Sequence, residues 1–442
     1  MRKIFYGWYV AVACGLGLAC GLASVITATF SIFLGPLRAE FGWTPSQTFT
    51  GLLLVTAAVT IGAPFIGSLV DRFGAKRMIL VGFVMQAAVI ASFATQTESL
   101  LTFYARYIAL AILGLGTTHV AFARVISVWF DRRRGLALGM ALAGLGVGGI
   151  IWPLLSQWAI TEFGWRTAYV IVALSAATVG ILSIGLVVRE SPESMGLLPD
   201  GDEQPKAIAG ASPVTIMQSG FTLAETLRQG QFWLMLAAFL LIGVAVQSLI
   251  LHLVPMLVMR NVEPMRAAQA QSLVAAALIV GRVGAGMLMD RFFAPRVAIA
   301  FLVGPVIGII LLASGASGTS AFIAGMLTGL AAGAEVDVTA FLASRYFGLR
   351  YFSRIYAWFY SAYSAGAGIG PLITAQSVER YGDYTEILYV HAGLLVAAAL
   401  MLSRLKPFPK SLPVGAAVGA PSGATPSRER LADSILPGGG RA

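Results

Sequence analysis

The chain has 442 residues, of which 57% are hydrophobic and only 11% are charged. A soluble protein is about a quarter charged, so this sparse charge set cannot cover a water-soluble globule, and the high hydrophobicity excludes a disordered chain. The formal net charge of +10 reads as loop bias in a membrane protein and not as a nucleic-acid surface.

A bilayer core about 30 Å thick needs about 20 apolar helical residues per crossing. Apolar runs between turn and charge clusters fall at 6–34, 45–70, 78–96, 100–128, 135–161, 166–188, 231–259, 266–289, 296–314, 319–345, 353–376 and 385–404. The first follows only Arg2 and Lys3 and has no small-residue cleavage site, so it reads as a retained helix. Cys14 and Cys20 both lie within it, which gives neither a disulfide framework nor metal-ligand spacing. The longest internal break is 189–230. Near its end, Thr222 and Glu225 have capping-box spacing and predict a short helix before the seventh run. The segment 405–442, rich in Gly, Ala, Pro and Ser, is expected to be disordered.

With the N-terminus placed in the cytoplasm, 22 of the 30 Lys and Arg residues fall on cytoplasmic segments. The outer loops hold Arg38, Arg166, Arg260, Arg266 and Arg380, and Arg106, Arg124 and Arg282 lie within runs. That asymmetry predicts an all-α protein of twelve transmembrane helices in the plasma (inner) membrane, with both termini cytoplasmic.

The halves repeat at a shift near 218 residues. Gly67-x-x-x-Asp71-Arg72-Phe73 recurs as Gly286-x-x-x-Asp290-Arg291-Phe292, and Pro153 is matched by Pro371. The expected organisation is therefore a six-helix half over 1–188, a linker over 189–230, a second six-helix half over 231–404 and the tail over 405–442. Two pseudo-symmetric halves in one orientation are a transporter layout, with the substrate site near the midplane between them.

The stretch Gly67-Ser-Leu-Val-Asp71-Arg72-Phe-Gly74-Ala-Lys76-Arg77 resembles the loop 2–3 signature of the major facilitator superfamily. Trp129-Phe130-Asp-Arg132-Arg133-Arg134-Gly-Leu136-Ala137-Leu-Gly139-Met-Ala141-Leu-Ala143-Gly144 resembles the helix 4–5 signature of its monocarboxylate transporter family. At the start of the first run, Phe5-Tyr6-Gly7-Trp8-Tyr9 keeps the Gly and aromatics of that family's other signature but lacks its acidic residue, which suits a bacterial branch. The resemblance implies the major facilitator fold and transport of small organic anions, monocarboxylates first, by proton-coupled alternating access. It also implies conformational gating by Asp71, Arg72, Arg132, Arg133, Arg134, Asp290 and Arg291.

Ionisable groups at membrane depth cost roughly 2.5–3.5 kcal/mol each, so they mark function. Arg282 falls where the monocarboxylate family places its substrate-binding Arg, and its planar fork matches one carboxylate. Glu335 and Asp337 are the deep acids, candidates for proton coupling. Two residues apart, they point about 200° away from each other, so one of them is expected to face the centre. His252 is a further proton-coupling candidate, and His119, Tyr360 and Tyr363 are candidate substrate contacts. Arg124 is open between the cavity and the cytoplasmic charge network.

The chain lacks the Gly-x-x-x-x-Gly-Lys-Ser/Thr loop of an ATP-driven pump and the catalytic cluster of an embedded enzyme. No cofactor or metal is expected. The expected partners are the anion, protons and lipid, in a monomer. The alternatives are an oxalate/formate-like anion exchanger and a transporter-like sensor.

Overall fold

The computed structural model describes residues 5–201, 219–315, 319–409 and 413. Arg2, Lys3, much of the linker and nearly all of the expected disordered tail lie outside that set. The described helices are α1 (Gly7–Ala19), α2 (Leu22–Phe41), α3 (Pro45–Phe73), α4 (Ala75–Ser92), α5 (Leu100–Leu113), α6 (His119–Trp129), α7 (Arg134–Leu142) and α8 (Gly144–Leu182). They continue with α9 (Leu223–Leu227), α10 (Gly230–Met259), α11 (Pro264–Met289), α12 (Ala294–Ala313), α13 (Thr319–Phe347), α14 (Phe352–Tyr381) and α15 (Thr385–Ser403). Short 3₁₀ and π turns join some of them.

Nine helical stretches among the described residues are long and apolar enough to cross a membrane. One of these, Arg134–Val187, is 54 residues long and breaks at Gly164 (φ 77°, ψ 160°). The fifth and sixth expected runs are its two arms. A backbone in that region is essentially reserved for Gly, which is why one residue suffices to separate them. Among the described residues the expected runs are helical through most of their length. Leu101, Ile61, Phe65, Leu154 and Leu186 lie exposed on the bundle surface, as side chains facing lipid rather than water would.

Two expected helices are broken, and this corrects the sequence reading. The first run divides between Ala19 and Leu22, where Gly21 is extended (φ −73°, ψ 167°). The fourth divides between Leu113 and His119, around Gly114 and Gly116. A membrane interior has no water to satisfy the backbone groups that such breaks release. Buried side chains satisfy those released at the first break. Gln86 Nε2 donates to the Cys20 carbonyl at 3.0 Å. The Leu22 N–H donates to Thr117 Oγ1 at 3.0 Å, and that hydroxyl donates to Gln86 Oε1 at 2.6 Å.

α10 packs on α14, and α11 on α13. The two halves of the chain meet through α3 against α14 and α7 against α11. Glycine makes the closest approaches: a Cβ on Gly67 would meet the Ser353 carbonyl, and one on Gly135 the Gly286 carbonyl. α9 forms as expected, with a closed Thr222–Glu225 capping box. Residues 405–409 lie against the bundle: the Tyr346 hydroxyl donates to the Lys406 carbonyl at 2.6 Å, and Phe408 packs on Tyr346 and Phe293.

At the end of the bundle opposite most of the basic residues, Arg166 grips Glu40 with two bonds, Nη2–Oε1 at 2.7 Å and Nη1–Oε2 at 3.0 Å. Trp165 Nε1 adds a third at 2.7 Å. The Arg166 and then the Trp165 hydrogen bonds hold the Glu40 carboxyl below its ordinary 4.5. A lowered carboxylate stabilises the fold above its unfolded value and loses that contribution as pH falls through the lower folded value. Thermal unfolding of wild type and Glu40→Gln is therefore expected to differ at neutral pH and to converge on acidification. A gap that persists at pH 3 overturns this assignment.

Candidate functional site

Arg282 sits on α11, where Gly333 of α13 lets the two backbones touch. The side chain is buried (6% exposed), and so is Asp337 of α13 (0% exposed). Arg282 Nη1 lies 3.8 Å from Asp337 Oδ1. That is an ion pair but not a hydrogen bond, which needs about 2.7–3.2 Å. Arg282 Nε and Nη1 and both Asp337 oxygens have no hydrogen-bond partner among the described residues. Glu335 is also buried and also has both oxygens unpartnered. It lies toward Tyr363 and into an apolar recess with Phe239, Ile242, Leu302 and Leu402.

His119, from the first half of the chain, closes the other side of this cluster. Its ring lies 5.3 Å from Tyr360 and within electrostatic reach of Arg282. Tyr356, one helical turn before Tyr360, is buried with an unpartnered hydroxyl and lies near both Asp337 and Arg282. Buried polar groups are nearly always paired. A group of them left open at one point, with opposite charges held just beyond bonding distance, is arranged to receive something polar.

A second constellation closes the basic end. Asp71, at the end of α3, accepts the Ser353 N–H at 3.2 Å and the Arg354 N–H at 2.9 Å, at the start of α14. Asp290, just after α11, accepts the Gly135 N–H at 2.7 Å and the Leu136 N–H at 2.9 Å, in the first turn of α7. Each repeat carboxylate thus caps a helix in the other half of the chain, a stabilising match of charge to helix dipole. Arg134 is buried and reaches Ser344 Oγ at 2.9 Å and Asp131 at 3.3 Å. Arg345 holds Asp131 from the other half at 2.9 Å. Between them lies a recess of about 330 Å³, also lined by Ser219, Phe341 and Phe408.

The structure brings together Arg282, Asp337, Glu335, His119, Tyr360 and Tyr363. It does not bring His252 to them: its Nδ1 meets the Tyr384 hydroxyl at 3.2 Å and its Nε2 the Pro371 carbonyl at 3.0 Å. The N–H groups of Arg132 and Arg133, with that of Asp131, are held by the linker carboxylate Asp200. Arg72 and Arg291 are exposed, and Arg72 lies over the Phe73 ring at 5.2 Å. Arg124 belongs to the basic-end network, near Asp71 and Glu190. Tyr356 was missed by sequence reasoning, although its spacing of four from Tyr360 puts both on one helical face. His391, which bonds Thr374 at 2.8 Å, carried no sequence signal.

The sequence profile of the Major Facilitator Superfamily matches residues 16–334, and the chain belongs to that superfamily. Rat monocarboxylate transporter 12 is 27% identical over 305 residues, which cover 65% of this chain and 61% of the rat protein. The chain therefore spans about three fifths of that relative. The uncharacterized transporter YhjX of Escherichia coli K12 is 23% identical over 355 residues, 77% of this chain and 81% of its own length. Among solved structures, the E. coli fucose:proton symporter FucP superposes with a TM-score of 0.63 at 15% identity, over 90% of this chain and 97% of that one. The human organic anion transporter TETRAN gives 0.67 at 15% identity, over 90% and 99%. At that identity the likeness speaks for the fold. The relatives are transporters, not enzymes.

Removing a helix cap costs ~0.5–2 kcal/mol. Asp71→Ala and Asp290→Ala are each expected to open the basic end. A cysteine placed at Ser344 then reacts faster with an impermeant maleimide, by ~2–30-fold. The native Cys14 and Cys20 are buried and give little background. Unchanged labelling in both variants counts against the latch.

Proposed function

We propose that the protein is a secondary transporter of small organic anions, monocarboxylates first, working by proton-coupled alternating access. The observation that carries this reading is the Arg282 guanidinium, buried with two nitrogens unpartnered beside an acid it does not hydrogen-bond. A buried ion pair offsets its desolvation only when good geometry and further hydrogen bonds complete it, and the pair with Asp337 at 3.8 Å leaves the fork open. A carboxylate arriving at the fork supplies two charge-assisted hydrogen bonds and completes it. No second cation is needed, which favours one carboxylate per substrate.

The proposed cycle follows from the geometry. With the basic end latched by Asp71 and Asp290, the anion enters from the opposite side and pairs with Arg282. A proton taken up by Asp337 releases the hold of that acid on Arg282 and offsets the substrate charge, and Glu335 is the second acceptor. The halves then rock, the caps on α14 and α7 break, and the site opens at the basic end. By the charge bias of the loops, that end faces the cytoplasm. Relatives named as monocarboxylate transporters and a solved proton symporter of the same fold support the reading.

The test is uptake of labelled monocarboxylates into proteoliposomes with and without an imposed pH gradient. Wild type is expected to accumulate substrate when the outside is acidic, and Arg282→Ala to lose saturable uptake. Asp337→Asn is expected to transport with little response to the gradient. Saturable uptake by Arg282→Ala removes the arginine from the site. Wild-type uptake indifferent to pH removes the proton.

A further inference from the structure

The break in the fourth run leaves the buried N-terminus of α6, an 11-residue helix, deep in the bundle. Thr118 is its N-cap residue, yet no side chain caps it. The Thr118 hydroxyl points back and donates to the Leu115 carbonyl at 2.7 Å. The first N–H groups of a helix have no partner within it, and the dipole at that end favours an anion.

The second observation is what faces it. His119 is the first residue of α6, and helical side chains lean toward the N-terminus. Its ring therefore projects off this rim, where it meets Tyr360 at 5.3 Å and comes within electrostatic reach of Arg282. His119 Nδ1 and, on α11, Arg282 Nε and Nη1 are buried without hydrogen-bond partners among the described residues. The α6 amides come from the first half of the chain, and the guanidinium from the second.

We propose that the N-terminus of α6 is the second half of the anion site: the substrate carboxylate bridges the first-turn N–H groups of α6 and the Arg282 guanidinium. This rests on the transporter reading above and deepens it. A carboxylate held this way touches both halves of the chain at once. Bound substrate therefore ties the two bodies together through the rocking step, and a neutral analogue of the same shape, which satisfies neither the dipole nor the guanidinium, is rejected.

The experiment places a competing charge at the helix start. Thr118→Asp installs a carboxylate at the N-cap position, and Thr118→Asn installs a neutral side chain of the same size. Uptake of labelled pyruvate, lactate, acetate and formate is measured in proteoliposomes, with thermal unfolding of each purified variant recorded alongside. The Asp variant is expected to raise KM at least about tenfold more than the Asn variant, while unfolding no earlier without ligand, because Asp caps a helix well. The same comparison between His119→Asp and His119→Asn covers the case in which position 118 fails to fold. If wild type transports and the Asp and Asn variants share one KM, the α6 assignment falls and the transporter reading stands. If wild type takes up none of the four acids, that reading falls and this inference with it.

Discussion

Inside a bilayer a polar atom has no water to bond, so every backbone N–H and C=O must find its partner within the protein. That constraint organises this molecule. It makes the apolar runs helical, and it explains why the break in the first run is repaired locally. Gln86 and Thr117 take up the groups released around Cys20 and Leu22, three elements joined by one buried network. At the basic end the same need is met by acids. Asp71 serves α14, Asp290 serves α7, and Asp200 takes three successive N–H groups of the 131–133 turn. Glu190 takes the Lys76 N–H in the first turn of α4.

Those caps differ from the ordinary kind in one respect. A Ser or Thr cap belongs to its own helix, whereas Asp71 and Asp290 each reach a helix in the other half of the chain. The bonds that finish a helix also hold the halves together at that end. Each is worth a few tenths to about two kcal/mol, enough to set a resting conformation and little enough to break in a working cycle. The glycines at 67, 135 and 286 bring the backbones close enough for these short acids to span the gap. The proposed site near Arg282 inverts the pattern: polar groups are brought together and left open, the signature of a place that waits for a ligand.

Much of this was legible in the residues because the membrane makes charge rare. With so few ionisable groups at depth, Arg282, Glu335 and Asp337 stood out; the structure pairs Arg282 with Asp337, and Glu335 turns into an apolar recess beside them. The repeat pointed to Asp71 and Asp290 by spacing alone. His252 was as conspicuous in the sequence as His119, yet it lies beside Tyr384 and the Pro371 carbonyl, since a lone His carries no mark of which neighbour it will meet. Tyr356 passed unnoticed because a tyrosine in an apolar run reads as packing, and its open hydroxyl exists only in the folded bundle.

Composition and charge order by themselves determined the class, the helical runs, the bias of basic residues to one end and the duplicated latch motif. These follow from local hydropathy and spacing, which the chain carries without folding. Tertiary structure alone decided that the first and fourth runs break, that Asp71 and Asp290 cap opposite halves, and that Arg282 pairs with Asp337. Those facts depend on helix rotation and depth, and a rotation of 100° per residue carries a side chain from the core to the lipid within two positions. No local pattern in a uniformly apolar helix specifies that angle; packing against neighbouring helices does.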